Sequence, residues 1–102
     1  MAKLVRDRVP QIISPEKQHL FRFTTLTGSE YSFYLKQKLC EEVEEYLSAE
    51  NIEELADIFE VLRAIIKLKE FDLNEIIKTQ NEKREKNGGF ENRILMEKYD
   101  CP

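Results

Sequence analysis

Apolar side chains return every three or four residues over two long stretches of the chain, which is the period of an α-helix. In residues 29–49, Tyr31, Leu35, Leu39, Val43 and Tyr46 fall into one arc at about 100° per residue, the stripe that an amphipathic helix turns toward a core. Residues 52–69 are apolar round most of the circumference, through Ile52, Leu55, Ile58, Phe59, Val61, Leu62, Ala64, Ile65 and Leu68. A helix of that kind is covered on several sides. Asn51 stands three residues before Glu54, and Asp72 three before Glu75. Both pairs carry a helix-start signature, in which a short polar side chain satisfies a free N–H of the first turn. The pattern therefore predicts helices from about Ser29 to Ala49, from Asn51 to about Lys69, and from Asp72 to near Asn87, where Gly88-Gly89 is a strong stop. The loop between the first two is so short that they must form an antiparallel hairpin.

Upstream, the chain opens with a short basic lead and a Pro-bounded turn of helix, followed by HLFRFTTLTG. The aromatic and β-branched content of that segment predicts one extended strand or ribbon ending at Gly28. The expected architecture is all-α, an antiparallel helical bundle with a short extended N-terminal segment. A length of 102 residues suits one domain, spanning 1–102.

Composition narrows the class. Charged residues make up 35% of the chain and hydrophobic ones 41%, with only 3 Gly and 3 Pro, the balance of a helix-rich soluble protein. No apolar run approaches the roughly 18 residues of a membrane span, and MAKLVRDRVP lacks the apolar region of a secretory signal, so the expected location is the cytoplasm with no membrane partner. Cys40 and Cys101 lie far apart and suggest neither a disulfide framework nor a zinc site. The formal charge of −4 argues against a nucleic-acid partner. It is unevenly spread, however: acids dominate between Glu41 and Glu60, while Lys and Arg collect in KLVRDR (3–8), in KREK (83–86) and at Arg93. Such a distribution suits the clamping of a metal-bound polyanion, although solvated helix faces also produce charge clusters.

The local rules break at four positions. Glu42 falls inside the apolar arc of the first long helix, and Glu45, three residues on, sits at its edge. In the second helix Glu54 projects between Val61 and Ile65, and Asp57 beside Ala64 and Leu68. Each helix of the hairpin thus turns a carboxylate pair at i, i+3 toward a common place. Desolvating an uncompensated anion costs several kcal/mol and like charges repel, so the four must be protonated, paired or bound to a cation. Arg63 and Lys67 lie on the opposite, polar side of the second helix, which makes a hard divalent metal the simplest solution. Oxygen-only ligation suits Mg2+, with Mn2+ as an alternative. Acidic helix runs are ordinarily solvated faces, and Glu41 and Glu44, which point away from the arc, fit that description as well as a functional one. His19 has no Ser or Cys partner and is expected to be structural or exposed; Gly88-Gly89 reads as a helix stop or an anion nest; Phe33, Tyr34, Phe59 and Phe90 are candidates to stack on a base but read mostly as core.

KLCEEVEEYL followed by EELADIFEVL resembles the E-E-x-x-E … E-x-x-D signature of the all-α NTP pyrophosphatase superfamily, which includes MazG, dCTP pyrophosphatases and phosphoribosyl-ATP pyrophosphohydrolase. The opening KLVRDRVPQII and the closing EKREKNGGFENRIL extend the resemblance over nearly the whole chain, toward the phosphoribosyl-ATP pyrophosphohydrolase-like, house-cleaning subgroup. The resemblance implies a MazG-like fold and hydrolysis of a nucleoside triphosphate to monophosphate and pyrophosphate with Mg2+. It places the metal ligands on Glu42, Glu45, Glu54 and Asp57 and makes Glu41 the catalytic candidate, for a second metal, for orienting the attacking water or for accepting its proton. Phosphate-binding candidates are Lys3, Arg6 and Arg8 from the opening block and Lys83, Arg84 and Arg93 from the closing one. Only eight residues separate Glu45 from Glu54, fewer than in many MazG relatives, which removes material for a base pocket. The near all-round apolarity of the second helix predicts a homo-oligomer, a dimer or a dimer of dimers. Two alternatives stand beside this reading: hydrolysis of phosphoribosyl-ATP itself, and a non-enzymatic helical dimerisation or regulatory module.

Overall fold

The structure is a computed structural model, described here for residues 2–100, and its regular elements are all helical. Cys101 lies outside the described residues. The basic lead runs into α1 (Val9–Ile12) and then a 3-10 helix (Pro15–Leu20), each with proline in its first turn, where the missing N–H leaves no bond unmade. Gln18 ties the two together, its Nε2 donating to the carbonyls of Pro10 at 2.9 Å and Ile13 at 2.8 Å.

The expected strand is absent: His19 and Leu20 belong to the 3-10 helix, residues 21–27 have no regular structure, and no strand occurs among the described residues. A strand is stabilised only by a laddered neighbour, and β-propensity in one short segment has nothing to pair with here.

Two long helices follow, α2 (Gly28–Ala49) and α3 (Ile52–Lys69), and the side chains between them explain the sharpness of the turn. Glu50 adopts the left-handed conformation, φ 49°, and donates its N–H to the Tyr46 carbonyl at 2.7 Å, closing α2. Asn51 then returns to extended geometry and accepts the N–H of Glu54 on its side-chain oxygen at 3.0 Å, opening α3. Two residues thus reverse the chain, and α3 packs back along α2. Glu70, φ 55°, ends α3 as Glu50 ends α2.

The chain divides into two compact units, one ending at Glu70 and the other beginning at Phe71. The second contains α4 (Leu73–Asn87), capped by Asp72, whose carboxylate accepts the Asn74 N–H at 2.9 Å, and closed by Gly88 at φ 84°. Helix boundaries are where the capping residues put them.

The core of the first unit is thin. Leu35 and Val61 are buried, and Tyr31, Leu39 and Tyr46 of α2 and Ile58, Ala64, Ile65 and Leu68 of α3 are half-buried, so the expected arc does face inward except at Val43, which is exposed. On α3 a second stripe, Ile52, Leu55, Phe59 and Leu62, lies in solvent, with Ile52 85% and Phe59 66% exposed. Phe33 and Phe90 are exposed as well, contrary to the expectation that most of the aromatics are core. No helix among the described residues is long and apolar enough to cross a membrane.

Candidate metal centre

Hairpin register builds the site. Glu45 and Glu54 lie five residues before and three after the two-residue turn, and Glu42 and Asp57 eight before and six after, so both pairs carry the same offset along the antiparallel hairpin. One carboxylate oxygen from each of Glu42, Glu45, Glu54 and Asp57 lies within 4.8 Å of all the others. Glu42 is only 5% exposed, Glu54 and Asp57 are half-buried, and Glu45 closes the group on the solvent side.

Two oxygens in this group are buried without a hydrogen-bond partner, Glu42 Oε2 and Glu54 Oε2. Buried polar atoms are almost always satisfied, and a charged one left bare costs more than a neutral one. The set fits a hard cation. Octahedral Mg2+ at roughly 2.1 Å from its oxygens would place opposite ligands about 4.2 Å and adjacent ones about 3.0 Å apart, so the four carboxylates would draw together on the ion. An open depression of about 450 Å3 adjoins the group, lined by Glu41, Glu44, Glu45, Ser48, Ala49 and Glu54.

The expectation that no helix-borne cation reaches the carboxylates is corrected by Lys38. It sits one turn before Glu41 and Glu42 on α2, its side chain only 17% exposed, with Nζ 3.1 Å from Glu42 Oε1 and 3.4 Å from Glu41 Oε1. Burial alone would lower the Lys38 pKa, but the hydrogen bond to Glu42 and the charges of Glu41 and Glu42 outweigh it and hold the ammonium above its ordinary value. For Glu42, burial dominates and raises the carboxyl; Lys38 opposes, and the neighbouring Glu45 adds to the rise.

The N-terminal lead supplies two more cations. Arg6 Nη2 donates to Asp57 Oδ1 at 2.7 Å, and Lys3 Nζ lies 3.7 Å from Glu41 Oε1. Glu41 does not point clear of the site, therefore; it is half-buried between Lys3 and Lys38. Five carboxylates against three cations leave two negative charges uncompensated, the charge of one divalent ion. Arg8 is exposed and makes no ion pair among the described residues. Lys83, Arg84 and Arg93 belong to the second unit, where Arg84 pairs with Glu91 over Gly89 and lowers the Glu91 carboxyl below its ordinary value, and where Arg93 takes a left-handed φ of 56°.

Lys38 carried a legible signal, since i, i+3 and i, i+4 neighbours share a helix face. Arg6 carried none, because it meets Asp57 across 51 positions of sequence. Comparison with family models, with curated proteins and with solved structures returns no match.

Proposed function

We propose that this chain is a Mg2+-dependent nucleoside triphosphate pyrophosphohydrolase of the all-α, MazG-like type, releasing monophosphate and pyrophosphate from non-canonical or excess nucleotides. The observation that carries the reading is the convergence of four carboxylates, from two helices, on a place where two buried oxygens have no partner. A structural ion-pair network would have paired them; a solvated acidic face would not have buried them.

In this reading Glu42, Glu45, Glu54 and Asp57 hold the ion. When bound, Mg2+ supplies charge neutralisation at the phosphate oxygens and a lowered pKa for an attacking water. Glu41 would serve as the proton acceptor for an attacking water, and Lys38 holds the Glu41 carboxylate by its Oε1. Lys3, Arg6 and Arg8 bind phosphate from the opening segment, and Lys83, Arg84 and Arg93, which belong to the second unit, are candidates for that task in their own right. Arginine suits it because its planar fork meets two phosphate oxygens at once. The chain is further assigned a homo-oligomeric state, because the exposed stripe of Ile52, Leu55, Phe59 and Leu62 is the kind of surface a bundle buries. That stripe also favours the rival reading, a helical interaction module without catalysis, but the rival gives no account of the two buried, unpartnered oxygens.

The deciding experiment is a nucleotide panel with purified protein and Mg2+, assayed for pyrophosphate. Release of pyrophosphate that EDTA abolishes and that Glu54→Gln lowers by at least about a hundredfold is expected, in line with loss of a positioned charge at a metal site. Hydrolysis that persists in chelator, or no hydrolysis of any nucleotide, overturns it.

A further inference from the structure

The cations around the carboxylates are built in two different ways. Lys38 is part of α2, one turn from Glu42, with most of its side chain covered, so its ammonium stays where the helix puts it. Arg6 sits in the lead before α1, outside any regular element, with its side chain 59% exposed, and it reaches Asp57 from 51 positions away. Its partner oxygen belongs to one of the four carboxylates gathered for a cation.

A fixed positive group beside a divalent site, such as Lys38, opposes loading whether or not a polyphosphate is present. An exposed one outside any regular element opposes loading just until it finds another anion. Arginine is also the side chain best shaped for a phosphate group, and the substrate class proposed above brings several.

We propose that Arg6 is a displaceable counter-ion. It holds Asp57 while the carboxylates lack a divalent cation, and it transfers to the polyphosphate of the substrate when the cation is present. This rests on the metal-site reading above and adds an order to it: cation first, polyphosphate second, with Arg6 coupling the two. By linkage, the coupling is reciprocal, so polyphosphate that captures Arg6 also tightens the cation. Glu42 Oε2 and Glu54 Oε2, buried and unpartnered while Arg6 covers Asp57, are the part of the site that remains ready for the ion.

The test separates two affinities in the full-length protein. Mn2+ binding is measured by electron paramagnetic resonance of the free ion, with no nucleotide present, and binding of the Mn2+ complex of inorganic tripolyphosphate by calorimetry. Arg6→Gln is expected to tighten Mn2+ by about two- to fivefold, the range that an exposed ion pair is worth, and to weaken tripolyphosphate by about tenfold or more, as loss of a charged hydrogen bond does. The two effects have opposite signs, whereas damage to the fold weakens both. Arg6→Lys keeps the charge but not the fork, so Mn2+ affinity stays at the parent value and tripolyphosphate loses an intermediate amount. Parent protein that binds Mn2+ with an affinity unchanged or weakened in Arg6→Gln overturns the inference alone. Absence of Mn2+ binding to the parent overturns the metal site and the inference with it.

Discussion

Glu54→Gln is the substitution whose sign is most informative, because Glu54 is a half-buried anion with no cation of its own. Gln keeps the shape and removes the charge. Two unit charges at 4.8 Å repel by about 0.9 kcal/mol in bulk water and about 3.5 kcal/mol at an effective dielectric of 20, and partial exposure keeps each pair near the lower figure. Glu54 has three such neighbours, so relief of roughly 1 to 3 kcal/mol is available in the metal-free protein. Against this stands the lost attraction between an anion in the first turn and the N-terminus of α3, about 0.3–1 kcal/mol. The backbone cap is untouched, since Asn51 accepts the N–H of residue 54 whatever its side chain. The net expectation in EDTA is a gain of about 0.5–2 kcal/mol, a rise in Tm of several degrees for a domain of this size. With millimolar Mg2+ or Mn2+ the order narrows or reverses, because an ion that binds only the folded state stabilises the parent by mass action and the variant less. Thermal melts with and without chelator measure both. A variant clearly less stable than the parent in EDTA refutes the account of Glu54 as an uncompensated anion. Equal indifference of both proteins to divalent ions refutes the metal site.

Other expectations follow from the same geometry. The Glu42 carboxyl is raised above its ordinary 4.5, so it binds its proton more tightly folded than unfolded; metal-free stability should therefore increase as pH falls from neutrality through that raised value toward 4.5, and Tm in EDTA that falls steadily over this window contradicts the burial argument. Glu50 holds a left-handed φ of 49° at the C-terminus of α2, where its charge also meets the negative end of the helix dipole; Glu50→Gly should stabilise by about 0.5–1 kcal/mol, measurable by urea denaturation, and a loss of stability there speaks against the turn geometry. Light scattering at micromolar concentration should give at least a dimeric mass for the parent and a lower mass for Phe59→Glu, whose side chain is already exposed in the single chain; a monomeric parent contradicts the oligomer.

Much of the fold is legible in sequence because it is fixed locally. Asn51 and Asp72 cap the helices they precede, and Gly88 ends the one before it, each through a hydrogen bond reaching four residues or fewer. The inward carboxylates are legible for a similar reason, since a helical wheel tells which face a residue shares. What sequence misread was decided at longer range. The segment HLFRFTTLTG has strand-like composition, yet pairing requires a partner that helical surroundings do not offer. Arg6 meets Asp57 only once the chain has folded. The all-round apolarity of α3 is a different case: it calls for cover from beyond one chain, and within one chain only the stripe facing α2 is covered and the stripe through Phe59 is not.

The site and the turn are one device. With only Glu50 and Asn51 between α2 and α3, the turn itself restricts the register of the hairpin, and that register gathers Glu42, Glu45, Glu54 and Asp57. Lys38 lies one turn farther from the hairpin tip than Glu42. Repulsion among the carboxylates is thus concentrated near the tip, and the apolar contacts that oppose it lie on the side away from the turn, around Leu35 and Val61. A core with so few fully buried side chains has little stability to set against that repulsion. The cation and a second copy of the chain would remove the two deficits separately: one neutralises the carboxylates at the tip, the other covers the stripe through Phe59. For that reason metal-dependent and concentration-dependent stability are distinct measurements on this protein, and each isolates one half of the proposal.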